Sequence, residues 1–369
     1  MSATRSPATP GSDSLAYQEQ ILPWVSRTFA LTIPQLPPEL RWVVANLYLL
    51  CRIADTIEDE SALSVAQKEH FHERLVDAVS RDGDATAFAA ELAPLLVTDA
   101  TKSEKDLVGR SADVIALTRT SGGAQRAALS RCLIVMCKGM ARFERNAGLA
   151  GLRDLAAFDD YCYCVAGVVG EALTALFCDY SREIAGHREE MLELSISFGQ
   201  GLQMVNILKD FWDDHDRGVC WLPQSLFRDG ASALTALNRR MAAPDLVQAY
   251  ATLIPIAHAH LRRSLRYVLL IPARETGIRR FCLLALMLAM QTLRLIQRHP
   301  GFTRREQVKV SHRAVANTLI MVRLFAGSDT RLNDWFDGLS EDLPRQPAGL
   351  DLSPPWPGRI RSDARPALR

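Results

Sequence analysis

The sequence lacks a long apolar run and an excess of charge of either sign. Its longest unbroken apolar run, Phe281 to Met290, is far short of the roughly 20 residues that a membrane-spanning helix needs. Lys and Arg total 43 and Asp and Glu total 42, so no global field attracts nucleic acid or a charged membrane. We therefore expect no membrane span and no nucleic-acid partner, and any binding of charged ligands must be local.

The sequence also lacks a secretory signal and a cysteine framework. Residues 1–14 are rich in Ser, Thr and Pro, without the basic region and apolar run of a signal peptide. None of the eight cysteines forms a CxxC pair, and no His lies at zinc-ligand spacing beside Cys162 and Cys164. These absences predict reduced core cysteines in a cytoplasmic protein, with residues 1–14 as a disordered leader.

Strand signals are almost absent, whereas apolar residues recur at three- and four-residue spacing over long stretches. Gly and Pro divide these stretches into about nine to twelve helices of ordinary length. From Leu339 onward the composition shifts to Pro, Arg, Asp and Gly without periodicity. The pattern predicts an all-α fold, with one large domain at residues 15–338 and a disordered tail at residues 339–369.

The first acidic motif is Arg52-Ile-Ala-Asp55-Thr-Ile-Glu58-Asp59-Glu60. On a helix, Asp55 and Asp59 lie one turn apart on the same face, with Arg52 and Glu58 beside them. Stacked carboxylates repel each other unless a cation lies nearby, and such oxygen ligands suit Mg²⁺, with Mn²⁺ as an alternative. Taken alone, the motif favours a solvated acidic helix face.

The second acidic motif contains a polar stripe at helical spacing, formed by Gln203, Asn206, Asp210 and Asp214. Asn and Gln on a stripe of paired carboxylates are unexpected for a surface face, where Lys and Glu serve better. Because the acidic arrangement occurs twice, we expect two opposed helix faces that hold a Mg²⁺ cluster and neutralise a diphosphate. Further positive charge lies close in sequence, at Arg52, Lys209 and Arg217.

A third segment, Tyr161 to Gly170, places two glycines in an apolar helical run. Gly167 and Gly170 each cost about 1 kcal/mol relative to Ala in a helix, which predicts a close approach of the backbone to a neighbour or a ligand. Tight helix packing alone explains the glycines equally well. Tyr161 and Tyr163 likewise fit core aromatics whose hydroxyl groups find a partner.

Together these motifs resemble the squalene and phytoene synthases, head-to-head members of the isoprenoid synthase fold. The resemblance covers about Ser26 to Leu324, and its markers are Ser26-Arg-Thr28-Phe29-Ala, Asp55-Thr-Ile-Glu58-Asp59, Gly139-Met140, Tyr161 to Gly170, Asn206 to Asp214, and Arg217-Gly218 followed by Leu222-Pro223. It implies a single large helical bundle with a central cavity. Lys209 stands where the family usually has Arg, which supplies charge without the bidentate fork. The chain shows no C-terminal anchor of the eukaryotic kind, which suggests a bacterial type.

The first motif resembles the squalene synthase form, and so do the segments around Phe281-Cys282 and Val308-Lys309-Val310, which the family links to NADPH. The resemblance implies that two farnesyl diphosphates are joined head to head to presqualene diphosphate, which NADPH then reduces to squalene. It places Tyr161 near the reacting carbons as a proton-transfer or cation-stabilising group. The implied metal ligands are Asp55, Glu58, Asp59, Asn206, Asp210, Asp213 and Asp214. The implied substrate contacts are Ser26, Thr28, Phe29, Arg52, Gln203, Lys209 and Arg217, and the nucleotide contacts are Phe281, Cys282, Lys309 and Arg313.

Other endpoints within the family are presqualene diphosphate, dehydrosqualene and phytoene. A non-catalytic helical assembly protein would show degraded acidic motifs, and a terpene cyclase would not account for the Tyr161 to Gly170 block. Three interpretations stay open for one set of basic residues: transient contact with a membrane surface, binding of the NADPH phosphate, or a solvated face. The set is Arg294, Arg298, Arg304, Arg305, Lys309 and Arg313. With transient membrane contact, we expect a cytoplasmic protein that is peripheral at the membrane.

Overall fold

The prediction of an all-α fold is confirmed by the computed structural model, which describes residues 12–26, 28–238, 244–345 and 352. Within those residues the chain forms seventeen α-helices, one π-helical segment and short 3₁₀ turns. A single isolated β-bridge joins Leu152 to Pro223 in the same described ranges. The helices outnumber the expected nine to twelve because several span only four to eight residues, too few to show a period in the sequence.

The chain divides into two compact units, and the first comprises residues up to 145 together with 172–185. In this unit α3 and α4 pack against α8, and α1 packs against α3 and α7. The core contains fully buried apolar side chains of α3 such as Leu49, Leu50 and Ile53. The helices are α1 Ser12–Val25, α2 Phe29–Thr32, α3 Pro38–Asp59, α4 Val65–Ser80, α5 Ala85–Leu92, α6 Lys102–Gly109, α7 Ser111–Thr120, α8 Gly123–Glu144 and α11 Arg182–Ala185.

Helix α3 carries the first acidic motif, and both of its ends are defined by the sequence. Pro38 begins the helix, since its fixed φ and missing N–H suit the first turn. After Asp59 the backbone of Glu60 turns extended. The Glu60 carboxylate accepts hydrogen bonds from the backbone N–H groups of Ala62, Thr98, Asp99 and Ala100. This buried carboxylate therefore fixes the end of α3 against the segment before α6.

The second unit comprises residues 146–171 and those from 186 onward. Its longest helix, α12, packs against α14, α15 and the π-helical segment Tyr163–Gly167. The helices of this unit are α9 Leu155–Cys162, α10 Val168–Tyr180 up to residue 171, α12 Arg188–Asp216, α13 Gly230–Thr235, α14 Pro244–Leu270, α15 Thr276–Arg298, α16 His312–Phe325 and α17 Asp329–Ser340.

The glycines of the third sequence segment bring two helices into backbone contact. A Cβ added to Gly170 would lie 2.0 Å from the Ser195 carbonyl oxygen, and one added to Gly199 would lie 2.0 Å from the Ala166 carbonyl oxygen. Real Cβ atoms do not approach this closely, so only glycine fits at either position. The glycines therefore serve close packing of α10 and the π-helical segment against α12, which was one of the two explanations open from the sequence.

Helical structure extends beyond both predicted limits of the domain. Residues 1–11 lie outside the described ranges, but Ser12 to Ser14 already belong to α1, three residues before the expected start. At the other end α17 continues to Ser340, and Leu343 is buried. His258 holds this segment, because its ring nitrogens lie 3.1 Å from Ser340 Oγ and 3.0 Å from the Pro344 carbonyl. The rest of the predicted tail, residues 346–351 and 353–369, lies outside the described ranges.

Two helical stretches are long and apolar enough to cross a membrane by length and composition. They are Leu155–Tyr180 and Thr276–Arg298, with 67% and 61% of their most apolar windows buried inside the protein. A buried core helix meets the same criteria, so the stretches are weak support for a span. The longest unbroken run in the sequence, Phe281 to Met290, covers only part of the second stretch, because isolated polar residues interrupt both stretches.

All eight cysteines are buried and none forms a disulfide, which confirms their prediction as core residues. Burial raises the pKa of Cys220 to about 12 and lifts the pKa of Cys162 well above its usual value. These thiols therefore stay protonated at neutral pH. Since the thiolate is the nucleophile and metal ligand, they are poorly suited to either role.

Candidate active site

The first acidic motif forms the last turn of α3, where Asp55, Glu58 and Asp59 cluster. The C-terminal end of a helix carries partial negative charge from its unpaired carbonyl groups, so carboxylates are disfavoured there. The sequence prediction that Asp55 and Asp59 share one face of a helix is confirmed. A cation bound at this helix end would relieve both the mutual repulsion and the unfavourable helix dipole.

Two carboxylates of this motif, those of Asp55 and Glu58, have raised pKa values. Burial, together with the nearby charges of Asp59 and Glu104, raises the pKa of Asp55 to about 6, although Arg52 opposes the shift. Burial and the charges of Asp59 and Asp55 likewise raise the pKa of Glu58 well above its usual value. The Glu58 Oε1 atom is buried without a hydrogen-bond partner. This electrostatic arrangement favours the arrival of positive charge.

Arg52 is held beside the motif by Glu104, a residue that the sequence reasoning missed. One guanidinium nitrogen of Arg52, Nη2, donates to Glu104 Oε1, and the other, Nη1, lies 3.7 Å from Asp55 Oδ2. Burial disfavours the charge on Arg52, but Asp55 and Glu104 outweigh it and raise the Arg52 pKa. Glu104 is itself fixed by a capping box with Thr101 at the start of α6. The Thr101-x-x-Glu104 pattern was the available signal, since it is typical of a helix start.

Two residues of the predicted substrate-binding set, Ser26 and Phe29, lie beside Tyr48 on the face of α3 that carries Arg52. Ser26 Oγ accepts a hydrogen bond from the Phe29 N–H at 2.9 Å, and the Phe29 ring lies 5.0 Å from that of Tyr48. Tyr48 precedes Arg52 by one helical turn and donates its hydroxyl to the Val25 carbonyl at 2.8 Å. The structure thus brings Ser26 and Phe29 to the row of side chains that contains Arg52. Thr28 lies between them and is exposed.

The second acidic motif occupies the last turns of α12, which ends at Asp216. The predicted stripe of Gln203, Asn206, Asp210 and Asp214 is confirmed as part of one helix. Lys209 Nζ donates to Asn206 Oδ1 at 3.0 Å and lies 3.2 Å from Asp210 Oδ2. Burial lowers the pKa of Lys209 although Asp210 opposes the shift. As in α3, several carboxylates lie at the C-terminal end of the helix, where the helix dipole disfavours them.

Two arginines pair with this stripe, and one of them was assigned differently from the sequence. Arg217 Nη2 lies 2.6 Å from Asp214 Oδ1, and its diphosphate-binding role stays a prediction. Arg305 Nε lies 2.9 Å from Asp210 Oδ1, and its Nη1 lies 4.0 Å from Asp213 Oδ2. Arg305, although its side chain is 44% exposed, therefore lies against the second acidic motif.

The loop that carries Arg305 is anchored on α12 by buried groups. The Trp212 indole N–H donates to the Phe302 carbonyl at 2.8 Å, and the Phe302 ring stacks 5.9 Å from that of Tyr250. Tyr250 in turn donates its hydroxyl to the Leu208 carbonyl at 3.0 Å. Because these contacts join segments far apart in the chain, no local pattern could have placed Arg305 against Asp210.

Tyr161, the predicted group near the reacting carbons, is buried and stacks on Trp221. The two ring centroids are 4.1 Å apart with an interplanar angle of 10°. Trp221 reaches this position because the backbone after α12 pairs with the loop before α9: Leu152 N–H donates to the Leu222 carbonyl at 2.9 Å. Gly151 permits this approach with φ of +74°, since a Cβ there would lie 2.4 Å from the Leu222 oxygen. The sequence reasoning missed Trp221, although it lies four residues after Arg217.

The structure does not gather the predicted nucleotide contacts at one surface. Phe281 and Cys282 are buried within α15. Lys309 and Arg313 are exposed just before and within the first turn of α16. An enclosed side chain such as Cys282 offers no surface to a nucleotide, whereas the two cations do. The nucleotide-binding assignment stays a prediction, and it applies best to Lys309 and Arg313.

The acidic residues fit Mg²⁺ only when the substrate completes the coordination. In the described part of the chain, no three His, Cys, Asp or Glu side chains lie close enough to form a metal site by themselves. Mg²⁺ normally keeps several waters and takes one or two carboxylates together with phosphate oxygens of the substrate. Two buried oxygens without hydrogen bonds, Glu58 Oε1 and Asp210 Oδ1, are suitable donors. Each of these oxygens therefore suits a cation whose coordination a diphosphate completes.

Comparisons with known proteins agree with these motifs. A squalene synthase of Eremothecium gossypii is 28% identical over 295 residues, which are 78% of this chain and 63% of that protein. The chain thus spans less than two thirds of that curated relative's length. Among solved structures, a ligand complex of TcSQS has a TM-score of 0.68 at 21% identity, covering 90% of this chain and 97% of that chain. A dehydrosqualene synthase in complex with a ligand has a TM-score of 0.57 at 20% identity, covering 86% and 97%.

The likeness to these solved structures shows that the chain has the isoprenoid synthase fold. The sequence profile described as Squalene/phytoene synthase matches residues 22–314, a range that includes both acidic motifs, Tyr161 and Arg305. With most of the chain matched and the motifs placed on the ends of α3 and α12, the chain belongs to the squalene/phytoene synthase family.

Proposed function

We propose that this chain joins two farnesyl diphosphates head to head to presqualene diphosphate and reduces that product to squalene with NADPH. The single observation that carries the proposal is the repeated placement of carboxylates at the C-terminal ends of two helices, α3 and α12. A protein tolerates such local repulsion where function requires it. The similarity to squalene synthases over 78% of the chain supports the choice of substrate and product.

The residues of the two acidic motifs take distinct roles in this proposal. The metal ligands are Asp55, Glu58 and Asp59 on α3 and Asn206, Asp210, Asp213 and Asp214 on α12. Mg²⁺, with Mn²⁺ as an alternative, would neutralise the diphosphate and so favour its departure. The positive side chains Arg52, Lys209, Arg217 and Arg305 bind diphosphate oxygens, because each lies against an acidic residue of a motif.

Tyr161 is the group proposed to face the reacting carbons. Its ring is held face to face on Trp221, so the position of its hydroxyl is fixed by packing rather than by a flexible loop. An aromatic pair of this kind can stabilise an adjacent carbocation through its electron-rich faces, and the phenol can move a proton. Ser26, Thr28, Phe29 and Gln203 complete the proposed substrate contacts.

An unreduced product is the alternative, and one observation favours it. Phe281 and Cys282, half of the predicted nucleotide-binding set, are buried in α15. Lys309 and Arg313 then remain as the contacts for the NADPH phosphate. If the nucleotide does not bind, the reaction ends at presqualene diphosphate or at dehydrosqualene.

One incubation separates these endpoints. The protein is given farnesyl diphosphate and Mg²⁺, with and without NADPH, and the products are identified by mass spectrometry. We expect consumption of farnesyl diphosphate in both samples and squalene only with NADPH. Identical products with and without NADPH would reject the reductive step and leave a presqualene diphosphate or dehydrosqualene synthase. No consumption in either sample would reject the condensation as well.

A further inference from the structure

Helix α16 presents apolar side chains to the outside of the second unit. Ile320 is 56% exposed and Leu324 is 62% exposed, and the two lie one helical turn apart on one face. Ala316, one turn before Ile320, is also exposed. Large apolar side chains that are singly exposed are ordinary, but a row of them on one helix marks an interaction surface.

The exposure is not a consequence of a poorly packed helix. Thr318, Val322 and Ala326 form the opposite face of α16 and are buried. This buried face packs on α15 and α17. The helix therefore has a complete core-facing side, and the row with Ile320 and Leu324 is a second apolar face that the packing of this unit does not need.

Every Asp, Glu, Lys or Arg in the segment that contains this face is positively charged. Residues 307–328 contain no Asp or Glu, whereas Lys309, Arg313 and Arg323 are all exposed. Arg313 lies in the first turn of α16, where the helix dipole disfavours a cation. The positive charge of Arg313 therefore does not stabilise the helix. An external anionic partner would explain why a cation lies there.

Aromatic and basic side chains meet where α16 ends and α17 follows. The rings of Phe325 and Trp335 meet edge to face with centroids 5.9 Å apart, and the Arg331 guanidinium lies 5.7 Å from the Phe325 ring. Tryptophan and arginine together are typical of the headgroup region of a bilayer, where an apolar body and a polar tip are both satisfied.

We propose that α16 is a membrane-docking helix, whose Ile320–Leu324 face enters the headgroup region of a bilayer rich in anionic lipid. Arg323 would then contact lipid phosphates, in the manner of interfacial amphipathic helices, and Lys309 and Arg313, the proposed NADPH contacts, would add positive charge at the edge of the face. The proposal concerns a face outside both acidic motifs, so it stands whether or not the chain makes squalene. Three arginines that the sequence suggested as membrane contacts are left out of this proposal, because each pairs with an acidic side chain. Arg294 and Arg298 pair with Asp342, and Arg305 pairs with Asp210.

A second copy of this chain is the less suitable occupant. Two α16 helices related by a two-fold axis would bring like-charged residues such as Arg313 and Arg323 of the two copies together. Like charges across an interface oppose association. The apolar row alone is compatible with either occupant, so the positive charge of residues 307–328 favours the anionic surface.

The test is flotation of the full-length protein with vesicles of phosphatidylcholine alone or of equal parts phosphatidylcholine and phosphatidylglycerol. Wild type should float with the anionic vesicles, and added salt should weaken the binding. Ile320→Glu/Leu324→Glu should reduce the partition coefficient by at least about tenfold, because two apolar side chains no longer enter the interface. Arg323→Glu should weaken binding to anionic vesicles and leave binding to neutral ones unchanged.

The matched control is Val97→Glu, at a 65% exposed apolar position in the first unit, which should leave vesicle binding unchanged. Consumption of farnesyl diphosphate in detergent solution should also be unchanged in the Ile320→Glu/Leu324→Glu variant, which separates docking from catalysis. Equal binding of wild type and this variant would overturn the proposal. Sedimentation velocity that shows a wild-type dimer, dissolved by the same two substitutions, would overturn it in favour of self-association.

Discussion

The Arg305 guanidinium forms an ion pair with Asp210 of the second acidic motif, with Nε 2.9 Å from Oδ1. The two groups are not aligned as a hydrogen bond. Lys209 approaches the other oxygen of the same carboxylate, Oδ2, at 3.2 Å. In the absence of a divalent cation these two side chains therefore compensate the Asp210 charge. Under the proposed function, Mg²⁺ would compete with Arg305 for this carboxylate, and the displaced arginine would become available to a diphosphate.

Arg305→Ala should therefore strengthen Mg²⁺ binding while weakening substrate binding. Loss of a partly exposed ion pair worth about 0.5–1 kcal/mol predicts an increase in Mg²⁺ affinity of about two- to fivefold. The change is measured by calorimetric titration of Mg²⁺, and the half-saturating concentration of farnesyl diphosphate should rise in the same variant. Arg304→Ala, at an exposed neighbouring position, is the control and should leave both quantities unchanged. Weaker Mg²⁺ binding in Arg305→Ala would contradict the competition.

Asp55→Asn and Asp210→Asn should each lower turnover by about a hundredfold or more, since each removes a metal-ligand charge without a change of shape. Without Mg²⁺, Asp55→Asn should unfold at the same or a higher temperature than wild type, because repulsion at the helix end is reduced. Asp210→Asn should unfold at the same or a slightly lower temperature, because it loses its ion pairs with Arg305 and Lys209. The rise in unfolding temperature on addition of Mg²⁺ and inorganic diphosphate should be lost. Asp334→Asn on α17 should behave as wild type. Near-normal turnover in either motif variant would mean that the faces are merely solvated.

His260 should make the protein sensitive to acid. It is fully buried, neither ring nitrogen has a hydrogen-bond partner, and Asp159 Oδ1 is 4.0 Å away. Burial lowers the pKa of His260 to about 3, below the value of about 6.5 for a free histidine. Since the folded pKa is lowered, the stability from the neutral ring is present above pH 6.5 and is lost as the pH falls toward 3.

Urea unfolding between pH 7 and pH 5 tests this expectation. Below pH 6.5 the wild type should lose about 1.4 kcal/mol per pH unit through this histidine, on top of the contribution of other groups. His260→Leu should show a shallower slope by that amount. His312→Leu, at an exposed position on α16, should keep the wild-type slope. Parallel slopes for wild type and His260→Leu would show that the ring is not buried as a neutral group.

Gly170→Ala should destabilise the protein by about 1–3 kcal/mol, because its Cβ would lie 2.0 Å from the Ser195 carbonyl and force α10 away from α12. Gly338→Ala is the matched control within a helix, since a Cβ there meets no atom within 4 Å. It should stabilise the protein by up to about 1 kcal/mol through helix propensity. Both changes are read from denaturant unfolding, and equal effects would contradict the packing argument.

Trp221→Leu should lower turnover by about tenfold, because Tyr161 loses the stacked ring that fixes its position. Trp221→Phe should retain most of the activity, since an aromatic face remains. The Mg²⁺ affinity measured by calorimetry should be unchanged in both variants, which distinguishes a positioning role from damage to the acidic motifs. A Trp221→Leu variant with wild-type turnover would remove the ring pair from the proposed site.

Local patterns sufficed for the parts of the site that lie on single helices. The stripe of Asn206, Asp210 and Asp214 and the Asp55–Asp59 pair follow from the 3.6-residue period, and both occur on helices as predicted. The NADPH assignment, by contrast, treated Phe281 and Cys282 as contacts although the structure buries them. Sequence alone cannot tell which face of an apolar helix such as α15 is covered by its neighbours.

The sequence by itself determined that this protein is all-α and that two helices end in carboxylates, because helix periodicity and helix ends depend on residues only a few positions apart. Only the tertiary structure decided that Arg305 lies on Asp210, that Trp221 stacks on Tyr161 and that Glu104 holds Arg52. These contacts join segments that are distant in the chain, and they form only when burial of the apolar faces has fixed how the helices pack. The exposed face of α16 was also decided only by the tertiary structure. Its apolar residues have the spacing of a buried helix face, and only the packing of the helices shows that Ile320 and Leu324 are exposed.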